Sequence, residues 1–146
     1  MLQLTSPVFR HGEKMPKAYG CHGEGMSPPL AISNVPIAAK SLVLILDDPD
    51  APSGSYIHWL IWNIAPTTNL ISENSLPAET VVGINSSEKN DYSVPCPPSG
   101  THHYVFHLYA LDRKLDLPAS SHITDIQKVM TGHVLEEAEL IGIYSL

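Results

Sequence analysis

The stretch Ser41-Leu42-Val43-Leu44-Ile45-Leu46-Asp47-Asp48-Pro49-Asp50-Ala51-Pro52 carries the clearest structural signal in the chain. Its first six residues are apolar at nearly every position, which is typical of a β-strand buried on both faces. The Asp-Pro-rich run that follows ends the strand, because aspartate and proline favour turns. The stretch therefore predicts a buried strand that delivers Asp48 to the edge of a sheet.

A second strand is predicted over Tyr56–Ile64, which is rich in aromatic and β-branched residues. Side chains two positions apart share one face of a strand. Tyr56 and His58 are therefore expected to point the same way, on one face with Leu60 and Trp62.

A third strand is predicted over His102–Leu111, in which His102 and Tyr104 share one face and His103 lies on the other. The loop Pro97-Pro98-Ser99-Gly100 precedes it. Its prolines stiffen the chain, and its glycine and free amides favour a close approach of the backbone to a ligand.

The segments outside these strands are predicted to be mostly loops. Residues up to Pro36 are rich in turn formers and leave room only for brief strands. The polar stretch Thr67–Val94 reads as a long connection with one short strand at Val81–Ile84.

Helices are expected near the carboxy terminus. Thr124-Asp125-Ile126-Gln127 resembles a capping box and predicts a helix start. Gly132 is expected to break this helix, and the apolar spacing of His133–Ile141 predicts a second, amphipathic helix.

Composition limits the classes of function. A chain of 146 residues with 43% hydrophobic residues is expected to form one domain, residues 1–146, around a core of its own. The formal net charge of −7 argues against nucleic acid and anionic membrane surfaces as partners. Eight histidines equal the eight lysines and arginines in number, so imidazole is the expected source of local positive charge or metal ligation.

The cysteines and the amino terminus suggest a cellular location. Cys21 and Cys96 lie far apart without CxxC spacing, and the expectation is two free, buried, inert thiols. Residues 1–7 lack the pattern of a secretory signal, and the longest apolar run, Leu42–Leu46, is too short to cross a bilayer. A cytoplasmic protein without integral membrane association is therefore expected.

Asp48, His58 and His102 are the strongest candidates for a site. Asp48 ends a buried strand close in sequence to His58, so contact between carboxylate and imidazole across neighbouring strands is expected. His102 supplies a second imidazole, whereas Asp50 is interpreted as a turn former beside Pro49. Two imidazoles, an aspartate and nearby amides suit a phosphate or carboxylate group.

Three other chemistries fit the same residue types. Asp48, His58 and His102 match a metal site with two histidines and one carboxylate, although they lack the helical spacing of motifs such as HExxH. Ser99 with His102 and Asp48 matches a serine hydrolase, although Ser99 lies outside a GxSxG elbow. Cys96 is a nucleophile candidate if an imidazolium lowers its pKa.

The chain resembles the phosphatidylethanolamine-binding protein family, also called the Raf kinase inhibitor protein family, in its bacterial and archaeal branch. The resemblance covers nearly the whole sequence. It is carried by Asp48-Pro49-Asp50-Ala51-Pro52, His58-Trp59, Pro97-Pro98-Ser99-Gly100-Thr101-His102 with Tyr104, Gly23-Glu24, Ser27-Pro28-Pro29-Leu30, and Gly132-His133 with Ala138-Glu139-Leu140-Ile141-Gly142 and Tyr144.

The resemblance implies a mainly β fold of two antiparallel sheets with Greek-key connections, plus short peripheral and C-terminal helices. It implies a homodimer and a pocket for phosphate or phosphorylated head groups such as phosphoethanolamine, with no catalysis, metal or cofactor. The implied pocket consists of Asp48, His58, His102 and Tyr104, with Pro97 and Pro98 shaping the wall and Tyr56 at an aromatic flank.

Several positions depart from the family pattern. His103 replaces the arginine that usually follows the pocket histidine, so the ion pair that this arginine makes is altered or lost here. Ser93-Val94 stand where glycines are common, Ile32 replaces a usual tryptophan, and His22 replaces a usual aspartate.

The predicted function is non-enzymatic binding of a small anion with a regulatory or inhibitory role. A metal-dependent hydrolase, or one that uses an Asp/His acid–base pair, is the first alternative. A protease or kinase inhibitor acting through surface loops such as Thr67–Val94 is the second, with no protein partner readable from the sequence.

Overall fold

A computed structural model describes the whole chain, residues 1–146. It contains nine strands, one α-helix and a short 3-10 helix at Lys17–Tyr19. The elements are β1 Gln3–Thr5, β2 Glu13–Lys14, β3 Leu30–Ser33, β4 Ser41–Asp48, β5 Tyr56–Ile64, β6 Leu70–Ile71, β7 Val81–Val82, β8 Thr101–Leu111, α1 Ile123–Met130 and β9 Val134–Ser145.

The strands form two sheets, which confirms the mainly β fold. One sheet has six strands in the order β2-β9-β8-β4-β5-β7, and the other has three in the order β1-β3-β6. All pairs are antiparallel except β2 with β9. The connection from β5 to β8 carries the chain from one side of β4 to the other.

Strand β4 lies in the middle of the larger sheet and is buried on both faces, as its apolar run predicts. Leu42, Leu44 and Leu46 belong to the larger core, which also contains side chains of the three-stranded sheet. Val43 and Ile45 belong to a second core with side chains of α1. Because β4 pairs with β5 on one side and β8 on the other, it brings the ends of all three strands together.

A bulge in β5 determines where His58 points. Leu46 pairs with Trp59, whereas the next residue of β4, Asp47, pairs with Ile57, so His58 is left without an opposite residue. A bulge of this kind re-aims a side chain. Tyr56 and His58 do lie together, with ring centroids 4.9 Å apart.

The prediction that Leu60 and Trp62 share the face of His58 is wrong, because the bulge breaks the alternation. Leu60 and Trp62 pack in the core beneath α1. Trp59, on the opposite side of the strand from them, packs in the larger core.

The carboxy-terminal helix predicted over His133–Ile141 is wrong, because this segment belongs to strand β9. Strand β9 pairs with β8 along nearly its whole length, from Thr101↔Ser145 to Leu111↔Val134. The apolar residues at alternate positions, Leu140 and Tyr144, are buried in the larger core. Pairing with a distant strand has overridden the local helical spacing.

The first predicted helix is confirmed as α1, with a different start. Its N-cap is His122 rather than Thr124. The His122 backbone N–H donates to Asp125 Oδ2 at 2.9 Å, so Asp125 satisfies a backbone amide that the first turn leaves without a partner. The short strand predicted at Val81–Ile84 is confirmed as β7.

The expectation of free, buried cysteines is wrong. Cys21 and Cys96 form a disulfide across 75 residues of sequence, with a Cα–Cα distance of 5.3 Å, and both residues are exposed. The fold places the turn after the 3-10 helix against the proline-rich loop, where Cys21 N–H donates to the Pro95 carbonyl at 3.0 Å. No helix of the structure is long and apolar enough to cross a membrane.

Candidate functional site

The structure brings all the predicted pocket residues to one cavity of about 350 Å³, at the carboxyl end of β4 and the amino ends of β5 and β8. The loop from Ser93 to Pro98 closes one side. The lining residues are Asp48, Ala51, Pro52, Ser53, Tyr56, His58, Ser93, Val94, Cys96, Pro97, Pro98, His102 and Tyr104.

Asp48 pairs with His102, and the expected contact between Asp48 and His58 is not formed. His102 Nδ1 lies 2.6 Å from Asp48 Oδ2, and both residues are buried. Asp48 Oδ1 accepts the Asp50 backbone N–H at 2.9 Å. An ionised carboxylate only accepts hydrogen bonds, so Nδ1 of His102 carries a proton and Nε2 is the free nitrogen of its ring.

His58 is held by Ser93 instead. Its Nδ1 lies 2.7 Å from the Ser93 carbonyl, and the Ser93 backbone N–H donates to the His58 carbonyl at 2.8 Å. A carbonyl only accepts, so Nδ1 of His58 is protonated. Burial lowers the pKa of His58, which keeps the ring neutral with its lone pair on Nε2.

Tyr104 lies between the two imidazoles. Its ring contacts His58 edge-on at 5.3 Å between centroids and stacks on His102 at 6.3 Å. Burial raises the pKa of Tyr104, so its hydroxyl stays protonated and can donate a hydrogen bond at neutral pH.

Three polar atoms of this cluster remain available to a ligand: His58 Nε2, His102 Nε2 and the Tyr104 hydroxyl. None of them has a hydrogen-bond partner in the protein. The three cavity atoms are also not buried, because the buried polar side-chain atoms without a partner are three others: Asp47 Oδ1, Trp62 Nε1 and Thr80 Oγ1. His58 Nε2, His102 Nε2 and the Tyr104 hydroxyl are therefore accessible, and their residues line the cavity.

Three aspartates of the Asp47–Asp50 run each meet a different histidine of β8. Asp48 pairs with His102, Asp47 Oδ2 lies 3.2 Å from His107 Nε2, and Asp50 Oδ2 lies 2.8 Å from His103 Nδ1. The Asp47 hydrogen bond raises the pKa of His107. The three pairs connect the end of β4 and the turn that follows it to β8 beside the cavity.

Comparison with known proteins identifies the family. A family model described as phosphatidylethanolamine-binding protein matches residues 5–145 of the chain. The chain belongs to the phosphatidylethanolamine-binding protein family. A relative named UPF0098 protein from Methanothermobacter thermautotrophicus is 47% identical over 148 residues, which cover 98% of each chain.

Two solved structures of phosphatidylethanolamine-binding protein relatives share the fold. A putative homologue from Chlamydia trachomatis matches with a TM-score of 0.96 at 41% identity, over 99% of this chain and 97% of that one. Escherichia coli YbcL, described as a new member of the mammalian family, matches with a TM-score of 0.91 at 28% identity, over 99% and 98%.

The geometry does not assemble the other chemistries in this phosphatidylethanolamine-binding protein family member. No group of three or more His, Cys, Asp or Glu side chains is arranged to hold a metal ion. Ser99 does not line the cavity, so the set of Ser99, His102 and Asp48 is not formed there. Cys96 lines the cavity as half of a disulfide and offers no thiolate.

The expected close approach of Gly100 to the site is not formed, because Gly100 does not line the cavity. Its φ of +64° turns the chain from the proline loop into β8, a conformation that suits glycine. Its carbonyl accepts the Leu146 N–H at 2.9 Å.

Sequence reasoning missed the roles of Asp47, His107 and His103 beside the pocket of this family member. His103 binds Asp50 through both its backbone N–H, at 2.7 Å, and its ring. These hydrogen bonds lower the pKa of Asp50. One signal in the sequence could have indicated these contacts. Three aspartates lie at the end of β4, and three histidines lie within six positions of β8, the strand that pairs with it.

Proposed function

We propose that the protein binds a small phosphate-bearing anion, inorganic phosphate or a head group such as phosphoethanolamine, and has a regulatory or inhibitory role rather than a catalytic one. The observation that supports this most is the convergence of two imidazole nitrogens and one phenol, all without protein partners, in one cavity. The cavity volume of about 350 Å³ falls in the range of small-molecule sites.

His102, whose ring Asp48 holds in place, is a cavity side chain that can present a cationic hydrogen-bond donor to an anion. A protonated His102 forms an ion pair with Asp48, and its Nε2–H then points a charged donor at the ligand. The Tyr104 hydroxyl adds a neutral donor. Imidazolium binds an anion more strongly than neutral imidazole does, so anion affinity is expected to be higher at acid pH.

The cavity lacks two nucleophiles that were considered from the sequence. Both carboxylate oxygens of Asp48 accept hydrogen bonds, from His102 and from Asp50 N–H, so Asp48 acts on a ligand through the His102 ring. The cavity holds no free thiol, and Ser99 lies outside it.

Calorimetric titration tests this proposal. Phosphate and phosphoethanolamine are titrated at about pH 6 and about pH 8, and the lower pH is expected to give the tighter binding. Replacing His102 with alanine removes a charge-assisted hydrogen bond, so we expect His102→Ala to weaken phosphate binding by about 10- to 100-fold.

His133→Ala is the matched control, because His133 also pairs with an aspartate, Asp112 at 2.8 Å, but does not line the cavity. Its phosphate affinity should equal that of the unmodified protein. Absence of binding of either anion at both pH values would contradict the proposal.

Location and assembly remain predictions. The disulfide between Cys21 and Cys96 weighs against the expected cytoplasmic location, because such bonds persist mainly in oxidising compartments. The homodimer implied by the family is testable by sedimentation equilibrium.

A further inference from the structure

We propose that the cavity selects oxyanions that carry a proton, such as inorganic phosphate and singly protonated phosphate monoesters, over sulfate, because His58 presents a hydrogen-bond acceptor to the ligand. This inference rests on the proposed function and specifies which anion the same site takes. His58 then determines which anion binds, because it offers the ligand a lone pair and not a positive charge.

The orientation of the His58 ring is fixed by one hydrogen bond to a carbonyl, and a backbone hydrogen bond to His58 holds the residue that carries this carbonyl. Its Nδ1–H donates to the Ser93 carbonyl at 2.7 Å, and the Ser93 N–H donates back to the His58 carbonyl at 2.8 Å. Turning the ring over would place a carbon atom against the Ser93 carbonyl and lose the first bond. The nitrogen left for the cavity is therefore Nε2, which carries a lone pair while the ring is neutral.

The surroundings of His58 keep the ring neutral. Burial is the largest influence on its pKa and lowers it. Asp48 and Asp47 on β4 act in the opposite direction, and His102 on β8 adds to the lowering. The other titratable side chains beside the ring are the phenols of Tyr56 on its own strand and Tyr104 on β8.

The cavity thus offers two different kinds of hydrogen-bonding group. His102 in its protonated form and Tyr104 donate, whereas His58 accepts. A phosphate monoanion, or a singly protonated phosphate monoester, has oxygens that accept from the donors and one P–OH that donates to His58. Sulfate has only acceptor oxygens near neutral pH, so one of them would face the lone pair of His58.

Protonation of His58 would remove this difference, and the low pKa of the ring makes it unfavourable at neutral pH. Sulfate can bind well only if His58 takes up a proton, and each rise of one pH unit above the His58 pKa makes that about tenfold less favourable. Inorganic phosphate brings its own proton throughout this range of pH, because H2PO4⁻ and HPO4²⁻ both carry a P–OH group, whereas a phosphate monoester, with a second pKa of about 6, keeps its proton only at the lower end of the range. The preference for phosphate over sulfate should therefore grow as pH rises from about 5 to about 7.

The test is a pair of calorimetric titrations with inorganic phosphate and sodium sulfate in phosphate-free buffers. At about pH 7 we expect phosphate to bind at least about tenfold more tightly than sulfate. The reason is that bound sulfate leaves one of its oxygens facing the lone pair of His58 Nε2, two acceptors with no proton between them. At about pH 5 the ratio should shrink. Titration in two buffers of different ionisation enthalpy should show proton uptake when sulfate binds.

His58→Gln provides the matched variant, because a glutamine amide can donate as well as accept. Its ratio of phosphate to sulfate affinity should fall to within about threefold of unity. The pH dependence of the ratio in the unmodified protein tests the inference without any variant, should His58→Gln fail to fold.

The outcomes separate the two proposals. Equal affinity for phosphate and sulfate at about pH 7 would overturn the inference on His58 and leave the anion site standing. Binding of neither anion at any pH would refute the site itself.

Discussion

Reduction of the disulfide between Cys21 and Cys96 is expected to lower the free energy of unfolding by about 4 kcal/mol, the chain-entropy estimate for a closed loop of this length. The bond spans 75 residues and joins two segments that lie outside the strands. Urea unfolding with and without a phosphine reductant measures the difference. Reductant should act on it readily, because both cysteines are exposed.

The double variant Cys21→Ser, Cys96→Ser is the control for this experiment. It should match the reduced protein in stability, and reductant should leave it unchanged. A loss of less than about 1 kcal/mol in the free energy of unfolding on reduction would show that the bond contributes little to the folded state.

Trapping thiols during cell lysis tests the predicted cytoplasmic location, because a cytoplasmic pool of the protein is expected to be largely reduced.

Truncation of Trp59 is expected to cost about 3–5 kcal/mol of stability, the usual range for a large aromatic side chain in a core. Trp59 is 3% exposed and packs edge-on against Tyr92 at 5.5 Å between ring centroids. Trp59 directly follows His58 at the bulge, so its truncation is also expected to disturb the position of the His58 ring in the cavity. Thermal or urea unfolding of Trp59→Ala measures the cost.

Ile37→Ala is a suitable comparison, because Ile37 is fully exposed and should change stability by less than about 0.5 kcal/mol. A Trp59→Ala protein as stable as Ile37→Ala would contradict the assignment of Trp59 to the core.

Local patterns were sufficient to predict the three strands that build the site. The apolar run of Ser41–Leu46 and the period of two in Tyr56–Ile64 and His102–Leu111 correspond to β4, β5 and β8. These strands are long and lie next to turn-forming residues, so neighbouring residues were enough to indicate where each strand lies in the chain.

Features that depend on distant parts of the chain could not be predicted in this way. The glutamate-rich Val134–Ser145 segment has helical spacing, and only its pairing with β8 makes it a strand. The bulge at His58 arises where β5 must match β4, and the disulfide depends on two loops meeting across the fold. Each is set by tertiary contacts that a local window does not contain.

The candidate site shows the same division. The sequence pattern predicted Asp48, His58 and His102, and the family resemblance added Tyr104, Pro97, Pro98 and Tyr56; the structure gathers all of them in one cavity. Their hydrogen bonds did not follow, because the partner of Asp48 depends on strand order. Strand β4 lies between β5 and β8, and the side chain of Asp48 meets His102 on β8, while the bulge turns His58 towards Ser93.

Imidazole ¹⁵N NMR of the protein during a phosphate titration tests the central claim most directly, because nitrogen shifts distinguish an N–H from a lone pair. Before phosphate is added, His58 should show a protonated Nδ1 and an unprotonated Nε2. Phosphate should then shift the Nε2 resonances of His58 and His102 and leave those of His107 and His133 in place, since neither lines the cavity. Unchanged His58 and His102 resonances at saturating phosphate would contradict the account.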